Sequence, residues 1–125
     1  PNYADAYYNR GVAYRNLKEY QKAIADYNKA IELDPNYADA YYNRGVAYYN
    51  LKEYQKAITD YTKAIELNPN YAYAYYNRGF AYYNLKEYQK AIADYTKALE
   101  IDPNVPDAYN NREVVYKILE ELSKQ

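Results

Sequence analysis

The 125-residue chain contains no cysteine, histidine, methionine or tryptophan, only three glycines and a single phenylalanine. Without cysteine there is no disulfide framework and no thiol nucleophile, and without histidine the commonest metal ligand and proton shuttle are gone. Serine occurs once, as Ser123 near the C-terminus, with no base at hand to activate it. Carboxylates recur at regular positions in the chain, which suits structure better than one catalytic pair. The expectation is therefore no enzyme, no cofactor and no metal. No apolar run approaches the roughly 20 residues that span a bilayer, and no signal-peptide pattern opens the chain, so no membrane role is expected. Sixteen basic residues against seventeen acidic ones leave a net charge of −1. That is no field for nucleic acid.

What is abundant is tyrosine, with 23 residues, and repetition. Pro1, Pro35, Pro69 and Pro103 stand 34 residues apart. Residues 4–37 and 38–71 differ at four positions only: Arg15/Tyr49, Ala25/Thr59, Asn28/Thr62 and Asp34/Asn68. Residues 72–105 differ from the second copy at seven. A period of this length marks stacked units that cannot bury an apolar face alone, and the surface made by stacking is where such proteins meet partners.

Each unit reads as helix, short turn, helix. Tyr7, Gly11, Tyr14 and Leu17 recur at three and four, and Tyr20, Ala23, Ile24, Tyr27, Ala30 and Ile31 form a second stripe from about residue 20 to 33. Pro35 stops the preceding helix, and Asn36 is suited to N-cap the next, with Asp39 in its first turn. Short connections make neighbouring helices antiparallel. The fold class expected is all-α: an α-solenoid of three helix-turn-helix hairpins, at 4–37, 38–71 and 72–105, within one domain spanning 1–125. A C-terminal capping helix over 106–122 completes it, with Tyr109, Tyr116 and Leu119 inward and Glu113, Lys117, Glu120, Glu121 and Lys124 outward.

These columns resemble the tetratricopeptide repeat family. Its aromatic, glycine and tyrosine positions are filled by Tyr7/Tyr41/Tyr75, Gly11/Gly45/Gly79 and Tyr14/Tyr48/Tyr82. Its alanines are Ala23/Ala57/Ala91 and Ala30/Ala64/Ala98, with Tyr27/Tyr61/Tyr95 between them. Glycine inside a helix costs about 1 kcal/mol relative to alanine, so its recurrence points to close helix approach. Three departures stand out. Arg10/Arg44/Arg78/Arg112 occupy a leucine column, and Asp26/Asp60/Asp94 are their expected partners. Lys18/Lys52/Lys86 stand where the family has a turn glycine, and Glu113 replaces the glycine of the last helix.

The resemblance implies a concave groove lined by the first helix of each hairpin, which binds an extended peptide. By column that groove holds Tyr8, Val12 and Arg15 from the first copy, then Asp39, Tyr42, Asn43, Val46 and Tyr49 from the second. The third supplies Tyr73, Tyr76, Asn77, Phe80 and Tyr83. Tyrosine offers large contact area with a polar tip at little entropic cost. A carboxylate clamp, as in chaperone-adaptor relatives, is not expected: its places fall at Tyr8, Val12, Asn43, Tyr73 and Asn77, and only Asn43 matches. The implied function is a protein-protein interaction scaffold. The alternative is a structural or designed near-consensus stack without a dedicated ligand, self-associating end to end. The resemblance alone favours an intracellular location.

Overall fold

The computed structural model describes residues 3–125; Pro1 and Asn2, and with them the first proline of the 34-residue spacing, lie outside the described residues. Among the described residues there are seven helices and no strand, in the expected hairpin order. They fall into two compact units, Pro1–Pro69 and Asn70–Gln125. The first unit holds α1 (Tyr3–Asn16), α2 (Tyr20–Leu33), α3 (Ala38–Asn50) and α4 (Tyr54–Leu67). The second holds α5 (Ala72–Asn84), α6 (Tyr88–Ile101) and α7 (Ala108–Ser123). No helix among the described residues is long and apolar enough to cross a membrane.

Each hairpin turns on a lysine in the left-handed region: φ is 62° at Lys18, 63° at Lys52 and 62° at Lys86. In the second hairpin the Lys52 amide donates to the Tyr49 carbonyl at 2.9 Å, and the Glu53 amide to the Tyr48 carbonyl at 2.9 Å. These two bonds are the Schellman pattern that satisfies the last carbonyls of a helix. The link to the next hairpin differs from expectation. Asn36 does not cap α3; its backbone amide donates to Asp34 Oδ1 at 3.1 Å, and the capping position falls to Tyr37, without a side-chain bond. The aspartate side chain folds the Asp-Pro-Asn turn onto itself, so the helix starts later than the asparagine.

Hairpin packing follows the alanine and glycine columns. Ala23, Ala30, Ala57 and Ala64 are fully inaccessible, and Tyr27 and Tyr61 are buried beside them. At Gly45 an added Cβ would lie 2.7 Å from Tyr61 Cε1, so the tyrosine ring occupies the space a side chain would need. The arginine column pairs as expected. Arg44 donates from Nε and Nη2 to the Asp60 carboxylate at 2.8 and 2.7 Å, and Arg10–Asp26 and Arg78–Asp94 repeat the two-pronged geometry. Burial pushes the Asp60 and Asp94 carboxyls above their ordinary value, against the pull of the guanidinium. Removing one partner would strand a buried charge.

In the second unit α7 packs on α6 through Ala108, Val115 and Leu119, against Leu99, Ala91 and Tyr95. Tyr109 and Tyr116 were expected to face inward, yet they are 51% and 45% exposed. They occupy the columns that flank glycine in the earlier hairpins and meet a second helix there, and none follows α7 among the described residues. Leu17 is likewise exposed, off the inward stripe of α1. The charged outer face of α7 is solvated as expected.

Candidate functional site

In the first unit the residues of the expected groove form a layer of rings resting on buried rings. Tyr8 lies 5.9 Å from the core Tyr27, and Tyr42 lies 5.8 Å from Tyr61, both tilted at 45°. Tyr8 also stacks on Tyr37 at 4.9 Å, and the Tyr37 hydroxyl donates to Asp5 Oδ1 at 2.5 Å. Tyr49 meets Tyr54 edge-on at 5.3 Å. Val12 and Val46 are half-buried on α1 and α3.

Asn43 holds this arrangement together. It is buried, and its Nδ2 donates to the Tyr8 hydroxyl at 2.8 Å and to the Asp39 carbonyl at 3.0 Å. Its Oδ1 accepts from Arg15 Nη1. Every polar atom of that amide is committed within the fold, so Asn43 fixes the positions of Tyr8 and Arg15. Burial and the nearby Asp39 push the Tyr8 hydroxyl above its ordinary value, opposed by Arg15 and the Asn43 bond. The phenol is therefore neutral near neutral pH.

The second unit repeats the pattern and adds a hollow. Tyr76 leans on Tyr95 at 5.7 Å, and its hydroxyl accepts from Asn111 Nδ2 at 2.8 Å. Phe80 presents edges to Tyr76 at 6.3 Å and Tyr83 at 6.1 Å. Beside them a cleft of about 280 Å³ opens, lined by Phe80, Tyr83, Tyr95, Asn111 and Val114. Tyr73 is exposed on α5, and Asn77 is half-buried.

The structure thus bonds Tyr8, Arg15, Asp39 and Asn43 together in the first unit, where Val12, Tyr42, Val46 and Tyr49 lie on the same helices α1 and α3, and it joins Tyr76, Phe80 and Tyr83 in the second, where Tyr73 and Asn77 also lie on α5. Sequence reasoning missed Tyr37, Asn111 and Val114. The signal was present: Asn111 and Val114 lie 34 residues after Asn77 and Phe80, but α7 was read only as a cover. What the rings offer is flat apolar area with phenolic and amide tips, which suits recognition of side chains and peptide groups. Among the described residues there is no cluster of three or more acidic side chains placed to hold a metal.

Comparison with known proteins agrees with this architecture. The family model described as "Tetratricopeptide repeat" matches residues 4–37, 38–71 and 72–105. The first TPR of Spaghetti (RPAP3), solved bound to the HSP90 peptide SRMEEVD, is 32% identical with a TM-score of 0.91, over 94% of this chain and 93% of that one. The Arabidopsis OM64 TPR domain is 32% identical with a TM-score of 0.89, over 91% and 94%. The Sgt2 TPR domain from Aspergillus fumigatus is 27% identical with a TM-score of 0.92, over 100% and 84%. No curated protein sequence matches the chain.

Proposed function

The chain belongs to the tetratricopeptide repeat family, and from that premise we propose that it is a protein-interaction module, acting as one domain, that holds an extended and partly apolar peptide segment against its tyrosine-rich face. The observation that carries the proposal is the hollow beside Phe80, lined by the rings of Phe80, Tyr83 and Tyr95 with Asn111 and Val114, where Phe80 meets Tyr76 and Tyr83 edge-on and Tyr95 backs Tyr76. Pre-braced aromatic anchors lose little freedom on binding, which is what converts contact area into affinity. Tyr8, Val12, Arg15, Tyr42, Val46 and Tyr49 belong to such a face on the first unit, and Tyr73, Tyr76, Asn77, Phe80 and Tyr83 to one on the second. Asn43 acts as positioner, and Asp39 favours a basic residue in the ligand.

The peptide bound by the RPAP3 relative supports ligand binding in this family. A terminal carboxylate is not the expected ligand end here, because Tyr8, Tyr73 and Asn77 stand where such a clamp has basic residues and Val12 where it has an asparagine. The test is a peptide-library selection on the intact chain, followed by the Tyr42→Ala/Tyr76→Ala double variant. Affinity for the selected peptides should fall about tenfold or more, since two aromatic anchors are lost, while the helical signal persists. Equal affinity defeats the assignment. A second reading, a stack without a dedicated ligand or one that associates end to end, is favoured by the near-identity of the copies. It would be upheld by a library selection that enriches nothing.

A further inference from the structure

Two periods of the repeat further along, the second unit rebuilds a side-chain cluster of the first. Tyr8, Asp39 and Asn43 return as Tyr76, Asp107 and Asn111, while Val12, Tyr27 and Val46 return as Phe80, Tyr95 and Val114. Asn43 Nδ2 donates to the Tyr8 hydroxyl at 2.8 Å, and Asn111 Nδ2 donates to the Tyr76 hydroxyl at 2.8 Å. Tyr8 tilts on Tyr27 with centroids 5.9 Å apart, and Tyr76 on Tyr95 at 5.7 Å. Burial and Asp39 push the Tyr8 hydroxyl above its ordinary value, and burial and Asp107 do the same to that of Tyr76. The two clusters thus share their rings, their amide and their carboxylate.

They differ at one column, where the first unit has Arg15 and the second Tyr83. Arg15 is half-buried, and its Nη1 donates to Asn43 Oδ1. Tyr83 instead turns its ring to Phe80 at 6.1 Å and to Tyr88 at 6.2 Å. Asn111 Oδ1 therefore accepts from no group among the described residues; the amide is bonded only through its Nδ2. Beside it opens the hollow of about 280 Å³, lined by Phe80, Tyr83, Tyr95, Asn111 and Val114. The first unit shows what this amide oxygen receives, a guanidinium N–H. The second offers the same oxygen and an open place before it, without the donor. Ring faces attract a planar cation, and the guanidinium fork can stack and donate at once. Asp107 adds negative charge near Tyr76.

We propose that the hollow of the second unit is an arginine pocket, which takes the guanidinium of an arginine in the bound peptide among the rings of Phe80, Tyr83 and Tyr95, with one N–H donated to Asn111 Oδ1. The inference rests on the peptide-binding reading above and names one residue of the ligand and the place that holds it. The ligand's arginine repeats between molecules the contact that Arg15 makes within the first unit. Tyr83 sets the specificity: arginine in its column closes the site from within, and tyrosine leaves it open. Lysine is the poorer occupant, because its ammonium is a strongly hydrated point charge with no planar face to lay on a ring.

The test begins with peptides selected from a random library on the intact chain, labelled and titrated by fluorescence anisotropy. They should share an arginine at one fixed position. Alanine in its place should weaken binding about tenfold or more, and lysine or the uncharged isostere citrulline about threefold to tenfold. In the chain, Tyr83→Arg supplies the guanidinium from within and should bring the arginine peptides down to the level of their alanine versions. The first unit already carries arginine in that column, so the helical signal should persist. Should the variant nonetheless melt earlier, the citrulline peptide decides, because it leaves the chain untouched. Three results overturn the arginine pocket while the peptide-binding reading stands: enriched peptides without a shared arginine, citrulline peptides that bind as tightly as arginine ones, or arginine peptides indifferent to Tyr83→Arg. A selection that enriches nothing overturns both.

Discussion

Replacing Lys52 with glycine should make the protein more stable, although lysine is the better helix former and the substitution deletes a side chain. Lys52 lies one residue beyond the C-cap of α3 with φ at 63°, where an L-residue suffers contact between its Cβ and carbonyl oxygen worth roughly 1–2 kcal/mol. Its side chain is exposed. The Schellman bonds at this turn come from the backbone amides of residues 52 and 53, which glycine retains. Against the relief stands the greater freedom of glycine in the unfolded chain, roughly 0.5–1 kcal/mol. The net gain is about 0.5–1 kcal/mol, or a rise of about 2–4 °C in Tm for a chain of this size. Lys18 and Lys86 share the geometry, and the sum over the three turns is about 2 kcal/mol for the triple variant. Urea titration followed by circular dichroism measures it, with Lys52→Val as the opposite control because a β-branched residue tolerates this backbone worst. A lower midpoint for Lys52→Gly at unchanged slope would show that the turn is not strained and refute the argument.

Arg44→Ala should cost about 3–5 kcal/mol, because it leaves the buried Asp60 carboxylate without its two-pronged partner. The Arg44→Leu/Asp60→Leu double variant should recover most of that loss, and a single variant as stable as the parent would contradict the pairing. In alkali, burial pushes the Tyr27 hydroxyl up to about 12, and the Tyr8, Tyr61 and Tyr76 hydroxyls rise for the same reason. A folded-state value above the unfolded one means that these groups support the fold fully below the ordinary value of 10.0 and withdraw that support as pH climbs above it, for Tyr27 through about 12. Phenolate absorbance from this buried set should therefore appear only well above the ordinary value and together with loss of helix; complete ionisation at the ordinary value with the helix intact would rule this out.

The helical hairpins and the arginine–aspartate pairs were legible because they depend on local periodicity and on residues repeated in register. The left-handed lysines were legible for the same reason, as departures from an otherwise regular column. Two expectations failed where tertiary context outweighed the local signal. Asn36 looks like a helix cap, but Asp34 reaches its amide first and moves the helix start. Tyr109 and Tyr116 carry the inward pattern of earlier copies, yet the helix they would meet is missing from the described residues, so they face solvent. The role of Asn43 was hidden in another way. Its bond to Tyr8 joins residues 35 apart, a pairing that no helical or turn periodicity announces, and it emerges only once two hairpins are laid side by side.

One side chain sets α7 apart. Glu113 occupies the column where Gly45 and Gly79 make room for the rings of Tyr61 and Tyr95, whose nearest carbons would sit 2.7 and 3.0 Å from any added Cβ. A tyrosine-bearing helix of the same kind cannot seat itself on α7 in that way. The ring-on-glycine contact that closes each earlier hairpin is thereby denied to α7 by a single carboxylate-bearing side chain.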